Sequence, residues 1–233
     1  MPIHDPPSAI HGFFVTGTDT GVGKTLVACS LLRAFAARGL TAVGMKPVAT
    51  GAIPRGDSLV HDDVERLLAA GNLPAPREQV NPYCFAPPIA PHLAASAAGM
   101  RIDLDHIERC FDALAGAADV VIVEGVGGFR VPLGPGADTS RLAARLALPV
   151  VLVVGMRLGC LNHALLTAEA VAHCGLTLAG WVANHIDPGM AAADENVRAL
   201  ETLIGAPLVA RIAFAPKMDL AAIAGTLNIG KLL

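Results

Sequence analysis

The sequence predicts an α/β fold in which a mostly parallel sheet has helices on both faces. Two observations lead to this prediction. Short apolar segments rich in β-branched residues alternate with longer segments of helical periodicity, and no change in composition marks a linker. Continuous apolar strands between helices are typical of a parallel sheet covered on both sides. We therefore expect the 233 residues to form one domain, with residues 1–11 as a loose N-terminal extension.

The first half of the chain begins with a predicted strand at FFVTG (13–17), which is apolar and runs directly into a glycine-rich loop. Residues 24–39 follow with helical spacing and end at a glycine, a residue that commonly stops helices. A second strand is predicted at TAVGMKPV (41–48). Residues 61–71 should form a short helix, because two aspartates at its start suit the helix dipole.

The second half of the chain continues this alternation. Apolar β-branched runs predict four further strands, and helical periodicity predicts three further helices. The strands are ADVVIVEG (118–125), LPVVLVVG (148–155), LTLAGWVAN (176–184) and APLVARIA (206–213). The helices are DLDHIERCFDALAG (103–116), NHALLTAEAVAHCG (162–175) and ADENVRALETLIG (193–205).

One long segment, roughly residues 50–100, has no clear periodicity outside the short helix. Its stretch NPYCFAPPIAPH (81–92) is rich in proline, which implies a fixed, non-helical loop. Long ordered loops on α/β sheets are often functional, so this segment is a candidate part of a site.

Composition and charge exclude several classes of protein. A content of 53% hydrophobic and 16% charged residues favours a well-filled core over disorder. The net charge of −3 and the lack of a basic run give no support for a nucleic-acid partner. No stretch reaches the roughly 18 apolar residues that a membrane-spanning helix needs. The start of the sequence lacks a signal-peptide pattern, and the five scattered cysteines include no CxxC pair, so we predict a cytoplasmic protein with free thiols.

The glycine-rich loop VTGTDTGVGKT (15–25) ends like a phosphate-binding P-loop. The standard pattern would place its first glycine at position 18, but Thr18 stands there and the glycine is Gly17. The loop nevertheless lies between a predicted strand and a predicted helix, which is the context a P-loop needs. A tight strand-to-helix turn and a dinucleotide site are the alternatives, and the spacing does not fit the dinucleotide pattern.

The P-loop interpretation predicts a role for each polar part of the loop. Gly17, Gly21 and Gly23 would let backbone N–H groups turn toward phosphate oxygens, where the helix dipole also acts. Lys24 would reach the β- and γ-phosphates, and Thr25 would offer its hydroxyl to Mg²⁺.

Other polar residues stand where parallel strands end, and ligands of α/β sheets bind at that edge. Lys46 ends the second strand, with Thr50 close behind it, and Glu124 ends an apolar strand before a glycine-rich turn. A carboxylate in the place of Glu124 commonly lies near Mg²⁺ in P-loop enzymes. A solvated lysine and a solvent-facing glutamate remain the alternatives.

Four more polar residues stand at a helix start or a strand end. Asp62 and Asp63 begin a helix, where acids ordinarily serve as caps. Asn162 precedes a helix and could cap it, although a helix start can also bind a carboxylate. Asn184 ends a strand, where its amide could contact the edge of a base.

Together these motifs resemble the dethiobiotin synthetases, ATP-dependent enzymes of biotin synthesis. The blocks that carry the resemblance lie in family order between about Phe14 and Ala215: FVTGTDTGVGKT, GMKPVATG, VNPYCFAPPIAPH, VIVEGVGGFRVPL, LPVVLVVGMRLGCLNHALLT and GLTLAGWVAN. The loop that is one residue longer than the standard P-loop is itself a trait of the family.

The resemblance implies a single P-loop NTPase-like α/β domain, a homodimer and a ligase reaction. Members of the family join CO₂ to 7,8-diaminononanoate with ATP and Mg²⁺. The products are dethiobiotin, which contains a cyclic urea, ADP and phosphate. The reaction passes through a carbamate and a carbamic–phosphoric mixed anhydride.

The resemblance also implies residue roles. Lys24, Lys46 and Thr20 would be catalytic, with Thr20 near the carbamate. Thr50 would hold the diamine, at a place where the family commonly has Ser. The carboxylate of the substrate would be bound across the dimer interface by Gly159, Cys160, Leu161 and Asn162. The ligands of Mg²⁺ would be Thr25, Glu124 and Asp63, with Asp62 as the next-best choice. The nucleotide would contact Asp19, Gly21, Val22, Gly23, Lys24, Thr25, Leu26, Asp63, Glu124, Gly125, Gly127, Asn184, Ala213, Phe214 and Ala215.

Two departures from the family and three rival interpretations remain. Gly21 stands where some members have Glu, and Ala213 where many have Pro. A ParA/MinD-like partitioning ATPase would carry a second lysine in the loop, at the place of Asp19. An amidoligase of the cobyrinate diamide synthase type would need a glutamine-hydrolysing domain, for which this chain has no room. A non-catalytic P-loop protein would leave Lys46 and Glu124 unexplained.

Overall fold

The computed structural model describes residues 12–215 and 219–232. The predicted N-terminal extension, residues 1–11, lies outside these residues, and its looseness stays a prediction.

Twelve strands occur in the described residues, and the six that the sequence predicts form most of the sheet structure. In chain order they are β1 Gly12–Gly17, β2 Ala42–Met45, β3 Val48–Thr50, β4 Ile53–Arg55, β5 Ser58–Val60, β6 Tyr83–Phe85, β7 Val120–Glu124, β8 Pro132–Gly134, β9 Ala137–Asp138, β10 Val150–Met156, β11 Leu178–His185 and β12 Leu208–Ile212.

The central sheet has six strands in the order β12-β11-β10-β1-β7-β2. All of its pairings are parallel, so the carboxyl ends of the strands share one edge. Strand β1 lies between β7 and β10, which places the glycine-rich loop at the middle of that edge. Three two-stranded pairs, β3-β6, β4-β5 and β8-β9, lie outside this sheet.

The helices of the described residues connect these strands, and a short 3₁₀ turn at Ile229–Lys231 follows the last of them. In chain order they are α1 Lys24–Ala36, α2 Asp62–Ala70, α3 Arg77–Val80, α4 Pro91–Ala97, α5 Leu104–Ala115, α6 Thr139–Leu146, α7 Cys160–His173, α8 Ala193–Leu203 and α9 Leu220–Thr226.

The strand side chains alternate between two apolar layers, as a sheet covered on both faces requires. Phe13 and Val15 of β1 pack in the layer that holds buried residues of α1. Phe14, between them, packs in the opposite layer with buried residues of α5 and α6. A third cluster joins β10 and β11 to α7 and α8. The predicted fold class, a mostly parallel α/β sheet with helices on both faces, is confirmed.

Two predictions about the first half of the chain were wrong in part. The predicted strand at 41–48 is interrupted at Lys46 and Pro47, because β3 leaves the central sheet and pairs with β6. The proline-rich stretch was expected to be non-helical, yet α4 begins at Pro91. Proline is tolerated there because the first residues of a helix have no intrahelical acceptor for their N–H groups.

No described helix has both the length and the apolar character needed to cross a membrane.

Candidate active site

The loop between β1 and α1 surrounds the amino group of Lys24. This side chain is buried, and its Nζ donates a hydrogen bond to the backbone oxygen of Asp19 at 2.8 Å. The ammonium therefore lies inside the turn of the loop, and no carboxylate of residues 12–215 or 219–232 pairs with it. Burial lowers the pKa of Lys24 to about 8, and the nearby positive charge of Lys46 acts in the same direction.

Gly23 is required at the start of α1 for two reasons. Its φ of 94° lies in the left-handed region that side chains disfavour. A Cβ atom there would also lie 2.2 Å from Nδ2 of Asn184. That amide donates to the backbone oxygen of Val22 at 2.8 Å, so Asn184 holds the loop from strand β11, which lies one strand beyond β10.

Lys46 follows β2 and lies between two carboxylates, Glu124 at the end of β7 and Asp63 in the first turn of α2. Met45 pairs with Val123 in the sheet, so the residues that follow them emerge side by side. Lys46 Nζ is 2.6 Å from Glu124 Oε1 and 3.0 Å from Asp63 Oδ2. It also donates to the backbone oxygen of Gly125 at 3.1 Å.

Burial and charge compete within this cluster, and charge prevails. Lys46 and Glu124 are only 3% and 1% exposed. Burial by itself lowers the pKa of Lys46, but the charges of Glu124 and Asp63 outweigh it and raise that pKa. Burial likewise favours protonation of Asp63, yet the Lys46 charge keeps the pKa of this carboxyl below its ordinary value. Both shifts favour the charged forms of Lys46 and Asp63, as expected for an ion pair.

Thr25 connects the loop to this network. Its hydroxyl donates to Glu124 Oε1 at 2.9 Å. The second oxygen of this carboxylate, Oε2, is buried and has no hydrogen-bond partner among the described residues. A buried carboxylate oxygen without a partner is costly, so this atom is ready to accept a ligand.

The donor set fits a Mg²⁺ ion that is shared with phosphate. Thr25, Asp63 and Glu124 offer a hydroxyl and two carboxylates, all hard oxygen donors. Within residues 12–215 and 219–232, no three His, Cys, Asp or Glu residues form a group able to hold a metal by themselves. Mg²⁺ usually takes one or two carboxylates and completes its shell with water and substrate phosphates, which is what this set would need.

A cavity of about 760 Å³ lies above these groups. One side is formed by the loop and the first turn of α1, with Asp19, Thr20, Gly21, Gly23, Lys24, Thr25 and Leu26. The other side contains Lys46, Thr50, His61, Asp63, Arg66, Gly127 and the stretch Pro88 to Pro91. The volume is in the range of pockets for small molecules and cofactors. The proline-rich segment suspected of a function from its length thus forms part of the wall.

Three residues that the sequence interpretation missed position those it found. Asn81 is buried and donates to the backbone oxygen of Lys46 at 2.6 Å. Arg157, just after β10, pairs with Asp19 at 2.5 Å. His61 bonds to the backbone of Thr50 and of Asp63. None of these belongs to a spacing pattern, so only their place in the fold reveals them.

Comparison with known proteins places the chain. A family model described as an AAA domain matches residues 11–221. A curated protein of Nitrosospira multiformis is 53% identical over 221 residues, which are 95% of this chain and 96% of that protein. Another, of Aromatoleum aromaticum, is 52% identical over 217 residues, 93% of this chain and 96% of its own length. Both are named ATP-dependent dethiobiotin synthetase BioD. The chain belongs to the ATP-dependent dethiobiotin synthetase family.

Solved structures with a similar fold are much more distant than these family members. A ParA family ATPase of Chlorobium tepidum TLS superposes with a TM-score of 0.54 at 15% identity, covering 92% of this chain and 96% of that one. A chain of the MinC:MinD cell division complex of Aquifex aeolicus gives 0.52 at 15% identity, covering 91% and 85%. These similarities show the fold alone and do not favour a partitioning ATPase over a dethiobiotin synthetase.

The two aspartates at the start of α2 differ in their surroundings. Asp63 lines the cavity and pairs with Lys46. Asp62 is exposed and does not line the cavity. The geometry therefore favours Asp63 as the metal ligand.

Other residues implied by the family lie outside this cavity. The predicted carboxylate contacts Gly159, Cys160, Leu161 and Asn162 form the start of α7, which follows β10. They do not line the cavity of their own chain, as expected if they contact the substrate in the site of a partner subunit. The predicted adenine contacts Asn184 and Ala213 to Ala215 lie at the ends of β11 and β12, where Asn184 pairs with Ile212. Asn184 Oδ1 is buried without a partner among the described residues.

Proposed function

We propose that the protein catalyses ATP-dependent closure of a cyclic urea from CO₂ and 7,8-diaminononanoate, giving dethiobiotin, ADP and phosphate. The near-full-length similarity to curated dethiobiotin synthetases carries this proposal. The cavity adds physical support, because two buried lysines and Asp63 line one small volume, and Glu124 pairs with one of those lysines.

The phosphate loop would hold the nucleotide through its backbone N–H groups and Lys24. In the part of the chain that the structure describes, Lys24 bonds to a backbone oxygen and not to a carboxylate, so its charge would be available to the β- and γ-phosphates. Thr25, Asp63 and Glu124 would hold Mg²⁺, which neutralises charge on the phosphate oxygens when it is bound. Asn184 and the residues after β12 would contact adenine, supported by their common position at one edge of the sheet.

The chemistry asks the protein chiefly for alignment and charge neutralisation. One amine of the diamine attacks CO₂ and loses a proton, which leaves a carbamate. A carbamate oxygen attacks the γ-phosphorus and expels ADP, so a mixed anhydride forms. The second amine then attacks the carbamoyl carbon, expels phosphate and closes the ring. Lys46 and Thr20 line the cavity beside the loop, where they would hold the carbamate for in-line attack.

A homodimer would complete the site. Leu158 lies just before α7 and Leu166 in the middle of it, and they are 95% and 57% exposed. Exposed leucines of this kind are typical of a surface that another chain covers. With α7 of one subunit facing the cavity of the other, the helix start from Gly159 to Asn162 would bind the carboxylate of the substrate. A cytoplasmic location remains part of the proposal.

Product formation tests the proposed function directly. The protein is incubated with Mg²⁺-ATP, labelled bicarbonate and 7,8-diaminononanoate, and acid-stable label is sought in a cyclic urea. We expect one ADP for each labelled ring and little ADP without the diamine. Steady ATP hydrolysis that ignores the diamine and leaves no label in a ring would instead indicate a switch-type ATPase.

A further inference from the structure

A histidine at the edge of the cavity contacts two of the residues assigned to ligands. His61 lies between strand β5 and helix α2, and its side chain is 16% exposed. Its Nδ1 accepts a hydrogen bond from the backbone N–H of Asp63 at 3.2 Å. Its Nε2 lies 3.1 Å from the backbone oxygen of Thr50. One ring thus spans the gap between the proposed diamine and metal residues.

The two contacts select one tautomer of the ring. A ring nitrogen of His61 accepts a hydrogen bond only when it carries no proton, so the hydrogen must be on Nε2. The partner of Nε2 is the carbonyl oxygen of Thr50, which can only accept. Both bonds therefore agree, and neither nitrogen is free to exchange a proton with a substrate. The ring is built to hold its neighbours rather than to act as an acid or base.

Helix capping alone does not explain a histidine here. Asn, Asp and Ser cap helix starts best, and α5 and α9 are capped by Asp103 and Asp219. What His61 adds is a second nitrogen on the far side of the ring. A shorter side chain that caps α2 from the same position could not also reach Thr50.

The connection between Thr50 and His61 has little other support. The β4-β5 hairpin that joins them is exposed or only half-buried, and Ile53 in it is 56% exposed. On the other side, the N–H groups of Gly51 and Ala52 bond to the backbone oxygen of Phe85. Those bonds fix Thr50 to β6 but not to α2. Among the described hydrogen bonds, the His61 ring is what connects the end of β3 to the start of the helix that carries Asp63.

We propose that His61 is a positioning residue that couples the diamine site at Thr50 to the metal site at Asp63. The inference rests on the proposed function, because it assigns the diamine to Thr50. In this proposal the two contacts of the ring have separate effects. The Nδ1 contact positions Asp63 on the metal side, and the Nε2 contact positions Thr50 on the substrate side. Outer residues that orient ligands commonly change metal affinity or activity by roughly 10–100-fold when replaced.

Two variants of His61 and one matched control test this coupling. His61→Ala removes both contacts, His61→Asn keeps a good cap but cannot reach Thr50, and Asp103→Ala removes a cap from α5 away from the cavity. Each is measured for its melting temperature, its dissociation constant for Mn²⁺ in the presence of ADP, and its kcat and KM for the diamine.

We expect His61→Ala to weaken Mn²⁺ binding and to raise the diamine KM, each by roughly tenfold or more. His61→Asn should recover the Mn²⁺ affinity and the melting temperature but keep the raised KM. Asp103→Ala should lose thermal stability alone. If His61→Ala behaves like Asp103→Ala, or if His61→Asn recovers the KM as well, His61 is only a helix cap and the proposal is overturned.

These measurements distinguish a failure of the proposed function from a failure of the proposed coupling. A wild-type protein that forms no cyclic urea contradicts the function, whatever the variants do. The Mn²⁺ titration needs no diamine, so it still tests the contact between His61 and Asp63. An unchanged Mn²⁺ affinity in His61→Ala overturns the coupling even when the wild type is fully active.

Discussion

Lys24 and Lys46 lie in the same cavity, both nearly fully buried, yet their surroundings shift their pKa values in opposite directions. Lys24 bonds to a backbone oxygen in the phosphate loop, and burial lowers its pKa to about 8. Lys46 lies between Glu124, at the end of β7, and Asp63, at the start of α2, and its pKa is raised.

From this difference we infer that the two halves of the site bind different partners, the loop an anion and the Lys46 network a metal ion. Lys24 is a buried positive charge with no ion-pair partner among the described residues, so an incoming anion offsets its desolvation cost. Lys46 is already neutralised by carboxylates that a metal ion would also need. Binding of Mg²⁺ at Asp63 and Glu124 would therefore compete with the ammonium of Lys46 and release it toward the substrate. In this proposal the loop binds phosphate, whereas Mg²⁺ replaces the Lys46 ammonium beside Asp63 and Glu124.

Lys46→Met should have the largest effect, because it removes the group that would face the carbamate and the γ-phosphate. Loss of one such group commonly costs about 10²–10³ in rate. We expect turnover to fall by about that factor while ADP affinity, which depends on the loop, changes little. Near-normal formation of the cyclic urea would contradict the assignment of Lys46.

The same variant tests the exchange of cations. Without Lys46, Glu124 and Asp63 lose the ammonium that pairs with both of them, so the metal-free variant should melt well below the wild type. Mg²⁺ should then raise its melting temperature more than it raises that of the wild type. An equal shift in both proteins would show that the metal and Lys46 do not compete.

Lys24→Met should act on the other half. A charge-assisted hydrogen bond contributes about 1.5–3 kcal/mol, which corresponds to roughly 10–100-fold in affinity. We expect ADP affinity to fall within that range, measured by calorimetry, in contrast to Lys46→Met. The metal-free melting temperature should rise, because a buried charge without a carboxylate partner has been removed. Unchanged ADP affinity would mean that the phosphates lie elsewhere.

The two aspartates of α2 allow a matched comparison on the metal side. Asp63→Asn should raise the Mg²⁺ concentration for half-maximal activity by roughly tenfold or more. Asp62→Asn, one residue away but exposed, should leave it nearly unchanged. The reverse order would move the proposed ligand to Asp62.

The sequence predicted the loop half of the site more completely than the Lys46 half. Spacing alone identifies Lys24 and Thr25, because a P-loop is contiguous in the chain. Lys46 and Glu124 were found because each ends an apolar strand, although neither spacing nor periodicity could show that they pair with each other and with Asp63. That pairing depends on β2 and β7 being neighbours, which is a long-range property of the fold.

Other features could not be predicted for the same reason. Asn81, His61 and Arg157 act through contacts with residues distant in sequence, and no local pattern marks them. Helix α6 was missed because it is only eight residues long. Helix α4 was missed because its first residue is a proline within a proline-rich stretch. The dimer, the Mg²⁺ ion and the adenine contacts remain predictions, since they concern groups other than this single chain.

The pH dependence of ADP binding has the smallest expected effect and is the most specific test of the difference between the two lysines. With a pKa of about 8 in the free protein, Lys24 is charged at pH 7 and mostly neutral at pH 9. Between pH 8 and its ordinary pKa of 10.5, Lys24 carries a proton in the unfolded chain but not in the folded chain. The folded state is therefore destabilised by this buried charge below pH 8, and the destabilisation is lost as the pH rises toward 10.5. Bound phosphate favours the charged form, so binding above pH 8 should take up a proton, and ADP affinity should fall by at most about tenfold from pH 7 to pH 9. Lys24→Arg stays charged throughout and should lack this decline. Lys46, whose pKa is raised, adds nothing in this range, so a decline that persists in Lys24→Arg would assign the titration to another group and contradict the proposed difference between the two lysines.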